Sequence, residues 1–159
     1  MRAIVLSDSH TDTSSLERAI DSQGKLDLII HLGDIARDVD YIETCYYPVP
    51  VVSVLGNNDY RYDDYEKVIE FDGHRIFLCH GHTQSVSSGY ERLEATARRH
   101  GCECALFGHT HRGVLEKRDD GFFILNPGSV SRPRGCAPSF AVLETDKGKL
   151  KAVIVNWVL

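Results

Sequence analysis

At 159 residues, with 42% hydrophobic residues and a formal net charge of −5, the chain has the size of one globular domain and enough apolar side chains for a substantial core. The acidic balance argues against nucleic-acid binding through bulk electrostatics, and no apolar run approaches the ~18 residues that span a bilayer. The N-terminal residues lack the long apolar stretch and small-residue site of a cleavable signal, so the expectation is a single cytoplasmic domain over 1–159, with neither a membrane nor a nucleic acid as partner.

Arg2 to Ser7 is a short β-branched run that reads as a buried strand ending in Asp8-Ser9-His10. A helix capped by Thr13 or Ser14 follows to about Ser22, with Leu16, Ala19 and Ile20 at helical spacing, Glu17 in its first turn and Gly24 as its stop. Leu26 to Leu32 is a second strand and runs into Gly33-Asp34, so a strand, helix, strand, polar-loop pattern begins to repeat and predicts parallel α/β structure. Asp38 to Tyr46 is a helix, and Val49 to Leu55 a third strand that closes on Gly56-Asn57-Asn58-Asp59.

Tyr60 to Glu66 reads as loop. Lys67 to Phe71 and Arg75 to Cys79 form a hairpin about Asp72-Gly73-His74, and its second arm delivers His80-Gly81-His82. Gly89 to His100 is a helix stopped by Gly101; Cys104 to Phe107 is a buried strand leading to Gly108-His109-Thr110-His111. Val114 to Lys117 and Phe122 to Leu125 pair about Asp119-Asp120-Gly121, and Asn126 to Ser129 is a turn or loop. Phe140 to Thr145 and Lys149 to Val158 make a final hairpin. The five cysteines, odd in number and without a C-x-x-C pair, read as buried free thiols and not as a disulfide framework or zinc ribbon.

The polar clusters follow strands: Asp8 and His10, Asp34, Asn57, His80, and His109 with His111 make seven oxygen or nitrogen donors and no sulfur. Ligands gather outside the carboxyl ends of strands in open α/β sheets, so residues far apart in sequence can meet there. Residues i and i+2 of an extended segment point to one side, which lets Asp8 with His10, or His109 with His111, reach one ion or two neighbouring ions. Seven side chains exceed one ion's needs; if Asp34 bridges, each of two ions receives four protein ligands and keeps room for water or substrate. Two divalent cations against two aspartates and a bridging hydroxide leave a net positive site suited to phosphate, and ions ~3.5–4 Å apart can hold that hydroxide for in-line attack on phosphorus. Carboxylate, imidazole and amide donors suit Mn²⁺, Ni²⁺, Fe²⁺ or Zn²⁺, with Mn²⁺ the first expectation.

Asp8-x-His10, Gly33-Asp34, Gly56-Asn57-x-Asp59, His80 after a strand and Gly108-His109-x-His111 resemble the calcineurin-like metallophosphoesterase signature, in order and over nearly the whole chain. The likeness is greatest to the small single-domain YfcE/MJ0936-type phosphodiesterases, including the Asn126-Pro127-Gly128-Ser129-Val130 stretch. It implies an α/β, four-layer αββα sandwich: two mixed β-sheets face each other with helices outside. It further implies that Asp8, His10, Asp34 and His111 hold one ion and Asp34, Asn57, His80 and His109 the other, with Asp59 orienting neighbouring groups. Many members have histidine where this chain has Asn58, which cannot give a proton to a leaving group. Departure would then be unaided, through water, or helped by a group such as His82, favouring small phosphodiesters with acidic leaving groups. The retromer scaffold subunit resembles the same motifs, so a non-catalytic or weakly catalytic interaction scaffold is the second expectation. A nuclease is the third, weakened by short intervals that leave no room for an added DNA-binding domain.

Among the remaining residues, His31 reads as a satisfied core histidine, His74 as solvated on its turn, and His100 as a helix-end residue favoured by the dipole. Arg132 and Arg134 either grip a substrate phosphate or sit on a solvated loop. Arg98 and Arg99 read as an exposed helical face and Asp63-Asp64 as a solvated pair; Tyr60, Tyr62 and Tyr65 either line a substrate base or ring or, as the first expectation, pack. The tail Trp157-Val158-Leu159 either pairs as an edge strand, which leaves room for a homo-oligomer, or packs on its own core.

Overall fold

The computed structural model describes residues 1–157. β1 (Arg2–Leu6), β2 (Leu28–His31) and β3 (Val51–Ser53) run parallel and are joined through α1 (Thr13–Asp21) and α2 (Ala36–Cys45). β9 (Ser139–Asp146) returns antiparallel beside β1 and carries β10 (Lys149–Asn156), giving one five-stranded sheet in the order β10-β9-β1-β2-β3. A second five-stranded sheet has the order β4-β5-β6-β8-β7, from β4 (Glu66–Phe71), β5 (His74–Cys79), β6 (Cys104–Leu106), β7 (Gly113–Lys117) and β8 (Phe123–Pro127). Its inner strands β5, β6 and β8 are parallel and its edges antiparallel, with α3 (Glu91–Arg99) leading from the β4–β5 hairpin to β6.

The layering follows from the period-2 alternation of side chains along each strand. Ala3, Val5, Leu28 and Ile30 point into one buried cluster with Ile76, Leu78, Leu106 and Leu125 of the other sheet. Their neighbours Ile4, Leu6 and Ile29 point the other way, onto Leu16, Ala19 and Ile42 of α1 and α2. Phe77, Ala105 and Ile124 likewise meet Leu93 and Ala97 of α3. Both faces of the inner strands are therefore apolar, which is why these strands read as continuous hydrophobic runs and why the fold is the expected αββα sandwich. Each fully buried Leu or Ile contributes roughly 1.5–3 kcal/mol, so the facing sheets are held chiefly by this central cluster.

Several element ends differ from expectation. Asp12, not Thr13 or Ser14, caps α1, its carboxylate accepting from Ser15 N at 3.0 Å and Ser15 Oγ at 2.8 Å, and this earlier start leaves Glu17 outside the first turn. Asn126 and Pro127 belong to β8, because β7 continues to pair with them beyond the last rung to β6. Pro127, which lacks an N–H, is thus tolerated at a strand end. The expected last strand to Val158 ends at Asn156, and Val158 and Leu159 lie outside the described residues. Trp157 packs inward, edge-on to Phe140 at 6.1 Å and under the Arg18 guanidinium at 4.8 Å.

Candidate metal centre

The carboxyl ends of five strands, β1, β2, β3, β5 and β6, converge at one edge of the sandwich. Asp8, His10, Asp34 and His111 place donor atoms all within 4.8 Å of one another. His111 Nε2 is 3.2 Å from Asp8 Oδ1 and 3.3 Å from His10 Nε2, and His10 Nε2 is 3.6 Å from Asp34 Oδ2. On the other side of Asp34, His80 Nε2 is 3.8 Å from Asp34 Oδ1 and 3.1 Å from Asn57 Oδ1, and His109 Nδ1 is 2.9 Å from the same Asn57 oxygen. All seven expected donors thus meet, in two groups that share Asp34.

The backbone is bent to achieve this. Asp8, His10, Asp34, His109 and His111 all adopt positive φ, between 47° and 71°, a region that side chains with a Cβ rarely visit. Gly33 and Gly56 let the two loops touch, since a Cβ on Gly33 would lie 2.6 Å from Gly56 N. Gly108 has the same function, as its Cβ would fall 1.9 Å from Ser7 Oγ and 2.8 Å from Asp8 Oδ2.

Fixed partners aim each donor. His80 Nδ1 donates to Leu32 O at 2.7 Å and His111 Nδ1 to Arg132 O at 2.6 Å, so each neutral ring turns its Nε2 lone pair inward. Asp59, buried, accepts from the backbone N–H groups of Asp34 (3.1 Å), Ile35 (2.9 Å), Ala36 (2.6 Å) and Gly56 (2.8 Å). It caps α2 from a distance, where the helix has no cap of its own, and locks the Asp34 loop to the Asn57 loop. Asn58, exposed, donates from N to Asp34 Oδ1 at 3.0 Å and from Nδ2 to Asp34 Oδ2 at 2.7 Å. His82 is half-buried; its ring centroid is 5.5 Å from that of His80 and 6.3 Å from that of His109, and its buried Nδ1 has no hydrogen-bond partner.

The arrangement fits divalent cations. Asp8 Oδ2 is occupied by Ser7 Oγ and His109 N, but the buried Asp8 Oδ1 has no donor and faces the His111 Nε2 lone pair. Two lone pairs at that separation repel unless something positive lies between them, and His80 Nε2 with Asn57 Oδ1 poses the same demand. The same pairing shows in the titration of His111, whose pKa the hydrogen bond to Asp8 raises against its own burial. Burial alone would raise the Asp8 carboxyl, but its interactions with His111, His80 and Ser7 together hold it low. Burial lowers His10, and burial with the neighbouring His80 lowers His82 and His109. The neutral form, the one that ligates, is favoured there.

Other expectations meet mixed outcomes. His31 is a fully buried, satisfied histidine: Gly33 N donates to its Nδ1 at 3.3 Å, which leaves Nε2–H for Ser9 Oγ at 3.0 Å, and Ser9 donates onward to Asp38. The expectation for His74 is corrected, because it starts β5 with its side chain only 12% exposed and pairs with Glu103 at 2.8 Å. The tyrosines are corrected too: Tyr60 and Tyr62 stand fully in solvent on the loop leaving the site, and Tyr65 is exposed with its edge against His82 at 5.4 Å. His100 ends α3 and lies over Phe77. Arg98 on the α3 face pairs with Glu94 and Asp120, and Asp63 with Lys67. Cys79, Cys102 and Cys104 are buried, whereas Cys45 and Cys136 are exposed, against the expectation for those two.

Sequence reasoning missed the braces behind the donors. Asn126 Nδ2 holds Gly108 O at 2.8 Å and Thr110 Oγ1 at 3.0 Å; Ser129 Oγ holds Asp8 O at 2.8 Å and Ser131 Oγ holds Ser9 O at 2.8 Å. The stretch 126–131 is therefore a clamp joining both sheets at the site. In the sequence the stretch shows only as part of the family resemblance and as a run of hydrogen-bonding residues, without the partners it holds.

Residues 1–148 match the family model of the calcineurin-like phosphoesterase superfamily domain. Phosphodiesterase MJ0936 of Methanocaldococcus jannaschii is 25% identical over 174 residues, covering 98% of this chain and 100% of its own. A solved structure of a predicted phosphoesterase from Streptococcus pneumoniae TIGR4 superposes with a TM-score of 0.81 at 28% identity, covering 98% of this chain and 88% of its own. A Vps29 variant from Entamoeba histolytica superposes with a TM-score of 0.78 at 22% identity, covering 99% and 100%, a likeness of fold alone. Among the described residues no helix is long and apolar enough to cross a membrane.

Proposed function

The chain belongs to the calcineurin-like phosphoesterase superfamily, and from that premise we propose that it is a two-metal phosphodiesterase acting on small phosphoesters. Metal-dependent phosphoester hydrolysis is the activity that this membership and the phosphodiesterase relative carry to it. The observation that supports two ions is the position of Asp34, one oxygen facing His10 at 3.6 Å and the other facing His80 at 3.8 Å. On this reading Asp8, His10, Asp34 and His111 hold one cation, and Asp34, Asn57, His80 and His109 the other. Divalent cations there, Mn²⁺ first and Ni²⁺, Fe²⁺ or Zn²⁺ after it, would supply an activated water and positive charge to phosphoryl oxygens.

The chain's own residues set what else is available. Leu32 and Arg132 carbonyls keep His80 and His111 in the ligating tautomer, and Asp59 keeps the loops of Asp34 and Asn57 in register. Asn58 directs its backbone N–H and one side-chain N–H to Asp34 and offers no acidic proton, so a leaving alkoxide departs unaided or obtains its proton from water or from His82. Diesters with acidic leaving groups are accordingly the favoured substrates. The reading takes 1–159 as one domain, working in the cytoplasm.

The test is turnover of an aryl phosphodiester with Mn²⁺ and with Ni²⁺, and its loss in Asp34→Ala and His80→Ala proteins whose circular dichroism is unchanged. No turnover with any divalent metal, together with a stable protein partner, would overturn the enzyme reading in favour of an interaction scaffold.

A further inference from the structure

A cleft of about 300 Å³ opens beside His109, lined among others by Ser87, Tyr90, Thr110, Arg112 and Arg134. Neither arginine has an acidic partner among the described residues, unlike Arg2, Arg61, Arg98 and Arg118 and in common with the other arginines; what sets these two apart is that they line one cleft. In a chain of net charge −5, two like-charged guanidiniums left unpaired at one cleft repel each other and attract an anion. Their backbones are tied to the metal centre: Arg112 follows His111 directly, and Arg134 N donates to His111 O at 3.1 Å. Between them the lining is a half-buried Tyr90 ring, set against Phe107 at 5.1 Å, with Val86 and Val114 beside it and the hydroxyls of Ser87 and Thr110. Arg132 does not line this cleft.

We propose that this cleft receives the alcohol portion of the substrate and that Arg112 and Arg134 bind a second phosphate carried on it, so that the preferred substrate is a phosphodiester bearing an additional phosphomonoester. The inference rests on the phosphodiesterase reading for the location of the scissile phosphorus. Guanidinium forks match phosphate oxygens with paired N–H donors, and Tyr90 offers a firm apolar wall to the sugar or ring between the two phosphates.

Two p-nitrophenyl diesters of thymidine 5′-phosphate, alike except for a phosphate on the 3′ oxygen of one, measure the preference with Mn²⁺ at low ionic strength. The 3′-phosphorylated ester is expected to have a kcat/KM about tenfold higher, carried mainly in KM and diminishing as salt screens the exposed arginines. Arg112→Glu/Arg134→Glu brings the ratio to unity or inverts it. Calorimetric binding of thymidine 3′,5′-bisphosphate to the metal-free protein reads the same cleft without turnover and weakens in that double variant. Equal kcat/KM for both esters in the natural protein, or bisphosphate binding that charge reversal leaves unchanged, overturns the inference and leaves the phosphodiesterase reading standing. No turnover of either ester with any metal, alongside bisphosphate binding lost on charge reversal, overturns that reading and retains the anion cleft.

Discussion

Replacing Asp59 by asparagine tests the claim that one carboxylate holds the two halves of the centre in register. Its Oδ1 serves Ile35 N and Ala36 N, and its Oδ2 serves Asp34 N and Gly56 N. In Asp59→Asn one oxygen becomes an NH₂ group, which leaves one pair of N–H donors facing another donor. Charge-assisted hydrogen bonds to a buried acceptor are worth about 1.5–3 kcal/mol each, so losing two, with partial relaxation, predicts a loss of about 3–5 kcal/mol. At an m-value of ~2 kcal/mol/M the urea midpoint should fall by ~2 M. Metal affinity should fall ~10–100-fold, as expected when a supporting hydrogen bond behind a ligand is removed. Urea denaturation of the metal-free protein gives the first figure and titration calorimetry with Mn²⁺ the second. A variant as stable as the parent, with unchanged affinity, would refute the assignment of Asp59 as the brace.

Asn58→His places a proton donor at a position that has none, and turnover of an alkyl phosphomonoester relative to an aryl diester should rise by ~10²-fold; an unchanged ratio in a metal-loaded variant counts against the leaving-group argument. Glu94, a fifth exposed, accepts from Arg118 Nε at 2.8 Å and Arg98 Nε at 2.9 Å. Burial would raise its pKa, but these arginines hold it below the ordinary 4.5. A depressed carboxylate pKa stabilises the fold above 4.5 and loses that contribution as pH falls through the lower folded-state value. Glu94→Gln should therefore cost about 1 kcal/mol at neutral pH and progressively less in acid; urea midpoints across the acid range that stay equally far apart would contradict this.

Much of the fold was legible because burial on both faces leaves a plain mark. Ile4-Val5-Leu6 and Ile29-Ile30 show no alternation, and only strands covered by a sheet on one side and a helix on the other have that composition. The proposed donor set was legible because each member follows a strand, at the sheet end where side chains from separate segments converge. What escaped was set by distant partners. The resemblance pointed to Asp59 as an orienting acid but not to its four donors, which come from a loop about 25 residues earlier and from Gly56. His74 is paired because Glu103 arrives beside it from before β6. Tyr60 and Tyr62 were expected to pack, but both stand in solvent, where no partner among the described residues covers their rings. In Asp12-Thr13-Ser14-Ser15 every residue can cap a helix, so tertiary placement chooses among them.

The left-handed backbone at Asp8, His10, Asp34, His109 and His111 gives the centre a direction in which it decays. Each such residue costs about 1–2 kcal/mol relative to a relaxed backbone, a cost tolerated only while the donors it aims are in use. Were selection for turnover to lapse, glycine at any of these positions would relieve strain and remove a ligand in a single step. The sandwich beneath would remain, since its central cluster draws on none of these five side chains. Loss of activity is thus energetically downhill for this architecture and its recovery uphill, so a lineage of such sandwiches should shed catalysis more readily than it sheds its fold.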